Sequence, residues 1–367
     1  MKVLLVVPSL KKTGVTEVVK SLICENKKNS GNVNYYLVSL KNDNGNNVSE
    51  FKKLLGENIF ILDGKSILSP RKIIKFKRVV RNIKPSIIHF HAFESDIYSI
   101  FLNHKKYKIV STAHNNGKED FQSTYGTLVG SLMAVAQVLL FNRMDLVIAV
   151  SDTVKRQFDN IIRSNIDIVL NGVNDNDDDS LGKTIKMGVL VKPIGIYSGN
   201  LSSRKNVDIL FETYKKINFS KIRSSLIVLG DDPQDSQKLI RYNIKYKGYG
   251  IVFVGRVNNV YPYLSMANYW VSASKNEGLP MAAIEGMSKN LDLILSDIPQ
   301  HRELKVSNKQ NILFFQNNLK GLTNVLKKYM DNWTPKHISN NEYYFKRYFS
   351  SKIMYDKYVT EYRKIIK

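Results

Sequence analysis

Glu277 and Glu285 stand with seven residues between them, in the run Glu-Gly-Leu-Pro-Met-Ala-Ala-Ile-Glu. Gly278 and Pro280 mark a loop turning into a helix, because Pro suits the first helical position, where its missing N–H has no partner to lose. Gly278 carries no side chain, so a ligand can come close to the backbone. The N–H groups at a helix start, together with the positive end of its dipole, suit an anion such as a diphosphate. Two carboxylates beside that anion site can accept hydrogen bonds from hydroxyl groups, and Leu279 lies between them. Such a set describes a pocket for a nucleotide sugar. An ordinary connection with surface glutamates uses the same residue types, but the Gly-Leu-Pro insert and the apolar run 269–272 before it favour the binding reading. Hydrolysis across a single bond fits less well. Pro280 to Glu285 is about 7.5 Å of helix rise, whereas a retaining glycosidase holds its carboxyls about 5–5.5 Å apart.

Further polar residues fall at the ends of apolar runs. His114 follows the run 108–113, where an imidazole can bond a sugar hydroxyl or a phosphate oxygen, or move a proton; a solvated or structural histidine is the alternative. Arg204 and Lys205 lie on the loop after the run 195–198. There they can neutralise a diphosphate, Arg through its planar fork and Lys as a point charge, or form a solvated basic loop. Gly14 sits between the first apolar run and a helical pattern starting at about Val15; it either lets a phosphate or sugar approach or is a plain turn glycine. His89 and His91 alternate along one run without an acidic or Cys cluster beside them, so they are expected to be packing or cleft-lining residues rather than metal ligands.

The elements that must position these residues alternate along the chain. Apolar runs rich in Val, Ile and Leu are expected as buried parallel strands at 3–7, 35–39, 59–62, 87–91, 109–113, 146–150 and 166–170, and again at 195–198, 226–230, 251–255, 269–272, 293–296 and 312–315. Helical patterns lie between them, for instance at 15–27 and 71–84. This predicts α/β architecture with two doubly wound parallel sheets and ligand sites at the carboxyl ends of the strands, in a cleft between the two units. Asn171-Gly172 and the acidic stretch 175–180 break the pattern. The expected domains are 1–172, a linker 173–192, a second domain 193–345 and a C-terminal helix 346–367 that crosses back to the first domain. The apolar run 126–141, broken by Ser131 and Gln137, is too short to span a bilayer and is expected as a core helix.

The chain has 367 residues, 43% apolar and 10% aromatic, enough for two globular cores. Its single cysteine, Cys24, fits a reducing compartment, and no secretory signal is evident. The net charge of +23 favours an anionic partner, although it also fits a lysine-rich base composition. Residues 71–84 hold seven basic residues and no acidic one. With Ile73, Phe76, Val79, Val80 and Ile83 on one arc, they form either a basic outer face on a packed helix or a contact for an anionic membrane surface. No nucleic-acid module is recognisable, so nucleic acid is not expected as a partner.

With these pieces in place, most of the chain resembles the family-4 retaining glycosyltransferases of GT-B architecture. Pro8-Ser9-Leu10 with Gly14 resembles the family's first loop, with Thr13 where one of two adjacent glycines is usual. Thr112-Ala113-His114-Asn115 resembles its strand-end His. Asp145-Leu146-Val147-Ile148-Ala149-Val150-Ser151 and Asn171-Gly172-Val173-Asn174 resemble its markers for the end of the N-terminal domain. Gly199 to Lys205 resembles its phosphate loop, with Lys205 matching the usual Lys and Asn200 in place of the usual Arg. Glu277 to Glu285 is similar to the E-x7-E signature. The resemblance implies two Rossmann-like domains, an N-terminal acceptor domain and a C-terminal donor domain. It implies Lys205 on the donor diphosphate with Arg204 as a substitute cation, Glu285 on the ribose, Glu277 with the backbone of Gly278, Leu279 and Pro280 on the donor sugar, Gly14 near the donor, and His114 near the anomeric centre.

The expected activity is retaining transfer of a sugar from a nucleotide-diphosphate donor, UDP-sugar favoured over GDP-sugar, to a glycan or polyprenyl-diphosphate-linked acceptor in cell-surface polysaccharide synthesis. Expected catalytic residues are His114, Glu277 and Lys205. No metal and no cofactor are expected, the nucleotide sugar being a substrate. The expected place is the cytoplasm, peripheral to the inner face of the plasma membrane. An epimerase or phosphorylase of the same architecture, and a non-catalytic binding partner that keeps the fold, stand as alternatives.

Overall fold

The computed structural model describes residues 1–367 apart from 30, 43–45, 63–65, 67, 116, 176–189, 222, 233 and 367, and apart from the side chain of residue 46. Most of the expected linker 173–192 therefore lies outside the described residues. The chain divides into two compact units, residues 1–174 with 350–367, and residues 175–349.

In unit 1 the strands are β1 (Lys2–Val7), β2 (Asn34–Ser39), β3 (Ile59–Ile61), β4 (Ile87–His91), β5 (Lys108–Ala113), β6 (Leu146–Ala149) and β7 (Asn165–Ile168), in the parallel order β3-β2-β1-β4-β5-β6-β7. In unit 2 they are β8 (Gly195–Ser198), β9 (Leu226–Leu229), β10 (Ile251–Gly255), β11 (Tyr269–Ser272), β12 (Asp292–Ser296) and β13 (Ile312–Phe315), in the order β10-β9-β8-β11-β12-β13. Each expected apolar run is a strand, within two residues at either end. The runs are strands because both faces are covered: β4, β6, β8, β9, β11 and β12 are buried throughout. Two doubly wound parallel sheets give each unit the GT-B half-architecture that the resemblance implies.

Right-handed crossovers then decide the layers. In unit 1 the chain steps one way from β1 to β3 and the other way from β4 to β7, so its connecting helices fall on opposite faces of the sheet. Strand order reverses between β1 and β4, and in unit 2 between β8 and β11. Loops leaving neighbouring strands at such a reversal diverge and open a crevice. The loop after β8 holds Arg204 and Lys205, and the loop after β11 holds Glu277. Unit 2 thus brings these residues together through a topology that sequence spacing alone does not reveal.

The C-terminal helix Ser351–Ile366 belongs to unit 1. Ser351 Oγ donates to Glu25 Oε1 at 2.9 Å and Tyr355 OH to Asn26 Oδ1 at 2.8 Å. Tyr362 OH bonds His89 Nδ1 at 2.6 Å, and Tyr358 OH bonds Thr112 Oγ1 at 3.2 Å. Gly172 admits the entry to this helix: a Cβ there would stand 2.4 Å from the Ser350 carbonyl oxygen. The glycine read as a turn signal is therefore a close-approach glycine.

Two readings need correction. The helix Thr127–Phe141 is not a core helix, since only Gly130, Gln137, Leu140 and Phe141 are buried along it. Gly130 lies so near the backbone of the preceding helix (Gly117–Tyr125) that a Cβ would meet Gln122 N at 2.4 Å, and this contact turns the polar Gln137 inward and Leu128, Leu132 and Leu139 outward. In the helix Pro70–Ile83, Phe76, Val80 and Ile83 are buried as their arc predicts, but Lys72 is buried too, donating from Nζ to the Leu40 carbonyl at 2.6 Å.

Candidate functional site

Unit 2 holds a charged cluster. Glu277 is 7% exposed, and both of its carboxylate oxygens are engaged. Lys205 Nζ donates to Oε1 at 2.5 Å, and Arg204 Nη1 donates to Oε2 at 3.2 Å and to the Asn276 carbonyl at 2.6 Å. The backbone joins the two loops as well, Lys275 N donating to the Arg204 carbonyl at 2.9 Å. Burial by itself would raise the Glu277 carboxyl, but Lys205 and Arg204 outweigh it and bring the pKa down to about 2. Two cations against one carboxylate leave one positive charge in excess. Lysine has three donors, so Lys205 is equipped to take an anion after holding Glu277. Arg204, whose direction the sequence leaves open, points to the residues of the E-x7-E run.

The helix after Glu277 runs Met281–Ser288, so Pro280 sits one position ahead of the first helical residue rather than on it. Its carbonyl accepts from Ala283 N at 3.1 Å and Ile284 N at 3.2 Å. Gly278, Leu279 and Pro280 are buried, and Glu285, further along the helix, is partly exposed. Gly286 seats this helix on β11: a Cβ there would be 3.0 Å from Trp270 Cβ. Asn200 is exposed, and its carbonyl accepts from Tyr197 OH at 2.7 Å.

Next to this cluster lies a residue that sequence reasoning missed. His301 is fully buried, its Nδ1 lying 2.8 Å from the Ser296 carbonyl oxygen, which makes Nδ1 the protonated nitrogen. Burial lowers its pKa to about 4, against the raising effect of Glu277, so the ring is neutral at pH 7. Gln300 beside it donates to Asn276 Oδ1 at 2.8 Å. The sequence offered no periodic or motif signal for either.

Unit 1 holds a neutral cluster. His114, one residue past β5, is partly buried, and its Nε2 lies 3.1 Å from Nδ1 of His91 at the end of β4. One ring must donate and the other accept, which couples their tautomers. His89 continues the row, with Nε2 2.8 Å from Thr112 Oγ1. Burial lowers His114 to about 3 and holds His89 and His91 well below the ordinary histidine value. His91 is thus more than a packing residue. Gly14 is exposed and opens the helix Gly14–Lys28, while Thr13, standing where the resemblance expects a glycine, caps it by accepting from Thr16 N at 3.3 Å. Among the described residues no group of three or more His, Cys, Asp or Glu is placed to hold a metal.

Two family models match the chain, one described as Glycosyltransferase Family 4 over residues 39–177 and one as Glycosyl transferases group 1 over residues 192–332. Two uncharacterised glycosyltransferases of Methanocaldococcus jannaschii are 25% and 24% identical to it, over 60% and 66% of this chain and 59% and 64% of theirs. The match thus spans about three-fifths of the length of these relatives. Among solved structures, sucrose-phosphate synthase from Thermosynechococcus elongatus superimposes with a TM-score of 0.78 at 16% identity, covering 100% of this chain and 99% of that one. Anabaena HepE in complex with UDP-glucose gives 0.79 at 16%, covering 99% and 100%. With a matching model in each unit and this shared architecture, the chain belongs to the family-4 glycosyltransferases and has the GT-B fold.

Proposed function

We propose that this chain transfers a sugar from a nucleotide-diphosphate donor to a hydroxyl of an acceptor, with retention of the anomeric configuration. The observation that carries the reading is the buried Glu277 holding Lys205 and Arg204 just ahead of the helix Met281–Ser288. A UDP-sugar is the favoured donor and a GDP-sugar the second choice; the UDP-glucose held by Anabaena HepE supports the first. The acceptor is a glycan or a polyprenyl-diphosphate-linked hydroxyl, and the setting is cell-surface polysaccharide synthesis.

In this mechanism the bond between the anomeric carbon and the diphosphate oxygen breaks, its electron pair leaving on the diphosphate. The acceptor oxygen bonds that carbon from the same side and gives up its proton to the oxygen of the departing diphosphate. Lys205, Arg204 and the backbone at the helix start stabilise the developing negative charge, which a fixed site does more effectively than water. Glu285 accepts from the ribose hydroxyls, Glu277 aims the two cations and faces the donor sugar, and neutral His114 bonds the sugar near the reacting carbon. No metal or cofactor is assigned. Thermal melts with a panel of UDP- and GDP-sugars test the donor, since a ligand of the folded state raises the melting temperature with its concentration over Kd. At one donor concentration the preferred donor should raise it clearly less in Glu285→Ala than in the wild type; an equal shift in both contradicts the assignment. NMR of the product reads the anomeric configuration directly.

A further inference from the structure

We propose that the outer face of the helix Thr127–Phe141, flanked by the basic helix Pro70–Ile83, docks unit 1 on an anionic lipid bilayer. Leu128, Leu132, Val135 and Leu139 are 77%, 64%, 60% and 62% exposed. Their spacing of four, three and four residues puts them within about 60° of one another around the helix. The helix carries no charged residue at all. Its orientation is fixed from behind: Gly130 brings the helix against Gln122, and Gln122 Nε2 donates to Ser131 Oγ at 2.9 Å. The stripe is therefore held outward by packing, and a contiguous apolar face of this kind marks an interaction surface. At 15 residues the helix is about 22 Å long, and no helix among the described residues is long and apolar enough to cross a membrane. Such a helix lies in the plane of the interface.

The charge around the stripe selects the partner. The helices Pro70–Ile83 and Thr127–Phe141 are crossovers on the same face of the sheet, and both pack against the segment Phe93–Asp96 and Ile97–Phe101 or part of it. Arg71, Lys75, Lys77, Arg78 and Arg81 are exposed on the first, and Lys77 Nζ lies 5.8 Å from the Phe101 ring centre. Ile100, on the segment between, is 51% exposed and extends the apolar surface. A second copy of this chain would bring the same cations to the contact, and at a net charge of +23 the copies repel. Anionic headgroups complement the cations while acyl chains receive the leucines.

Flotation of the full chain with vesicles of phosphatidylcholine, and of phosphatidylcholine with phosphatidylglycerol, tests the proposal. The wild type should float with the anionic vesicles. Leu132→Glu with Leu139→Glu should lower the bound fraction about tenfold or more, and Arg78→Glu with Arg81→Glu should remove the preference for anionic lipid. Leu132→Trp, read without any loss of the stripe, should show blue-shifted emission on binding and quenching by brominated acyl chains. Absence of flotation, equal flotation of the double Glu variant, or an unshifted Trp overturns the proposal. So does a wild-type dimer in sedimentation that the double Glu variant makes monomeric without any lipid binding. Donor binding, measured in lipid-free solution, is independent of every one of these results.

Discussion

The two units use one topology to build opposite kinds of site. In each, residues at the carboxyl ends of adjacent strands meet beside the reversal of strand order. Unit 2 places two cations around one buried carboxylate, a group whose value to a ligand is charge. Unit 1 places a row of histidines that burial keeps neutral, whose value to a ligand is hydrogen bonding. The fold supplies the place, and the residues on two loops supply the chemistry. A diphosphate suits the first kind of site and sugar hydroxyls the second.

Substitutions should separate the two along that line. The largest effect is expected for Lys205→Ala, which should lower kcat/KM with the preferred donor by about 10²–10³, the usual consequence of losing one fixed stabiliser of a developing anion. Assays at increasing salt sharpen the point, because the loss belongs to a charge. His91→Phe should act more weakly, by about tenfold in kcat, since it leaves His114 in place but frees its tautomer. Restoration by His91→Asn, which keeps a hydrogen-bonding group, separates positioning from packing, and equal loss in both variants would count against the tautomer argument.

Acid should also distinguish the units. Histidines with folded pKa values below the ordinary 6.5 bind fewer protons than the unfolded chain does, so their contribution is intact above pH 6.5 and is lost as the pH falls below it. His89, His91 and His114 place most of this loss in unit 1, with His301 adding to it in unit 2. The Glu277 carboxyl falls from 4.5 to about 2 on folding, so its contribution holds above pH 4.5 and disappears as the pH drops toward 2. Hydrogen exchange followed from pH 7 to pH 3 should therefore show the β4–β5 region of unit 1 loosening before the loops around Glu277. The reverse order would break the comparison. The smallest expected effect is Thr13→Ala, about 1 kcal/mol from the lost cap, read in a denaturant melt with donor affinity unchanged.

Much of this is legible in the sequence. Strands covered on both faces leave unbroken Val, Ile and Leu runs, so the thirteen strands among the described residues are placed by the sequence, and the segment from Glu277 to Glu285 carries its chemistry within nine consecutive residues. What was not legible depends on partners distant in sequence. His91 meets His114 because β4 pairs with β5 in a register that sets His91 opposite Thr112, two residues before His114 on the same side of the strand. Alternating histidines on one run and another at the end of the next were the available signal. The helix Thr127–Phe141 misled because it is apolar on all sides, and only the approach permitted by Gly130 decides which side is covered. Lys72 reads as one more surface cation until the Leu40 carbonyl claims it.

The central claim is that the nucleotide binds to unit 2 at Glu285 and the Lys205–Arg204 pair, without help from the histidines of unit 1. Calorimetric titration of UDP, and of GDP, into wild type, Glu285→Ala and His114→Ala tests this most directly. The account predicts that one nucleotide binds wild type and His114→Ala with equal affinity and that Glu285→Ala loses about 10-fold or more, the worth of hydrogen bonds to a charged acceptor. Nucleotide affinity that survives Glu285→Ala and is lost in His114→Ala would contradict it.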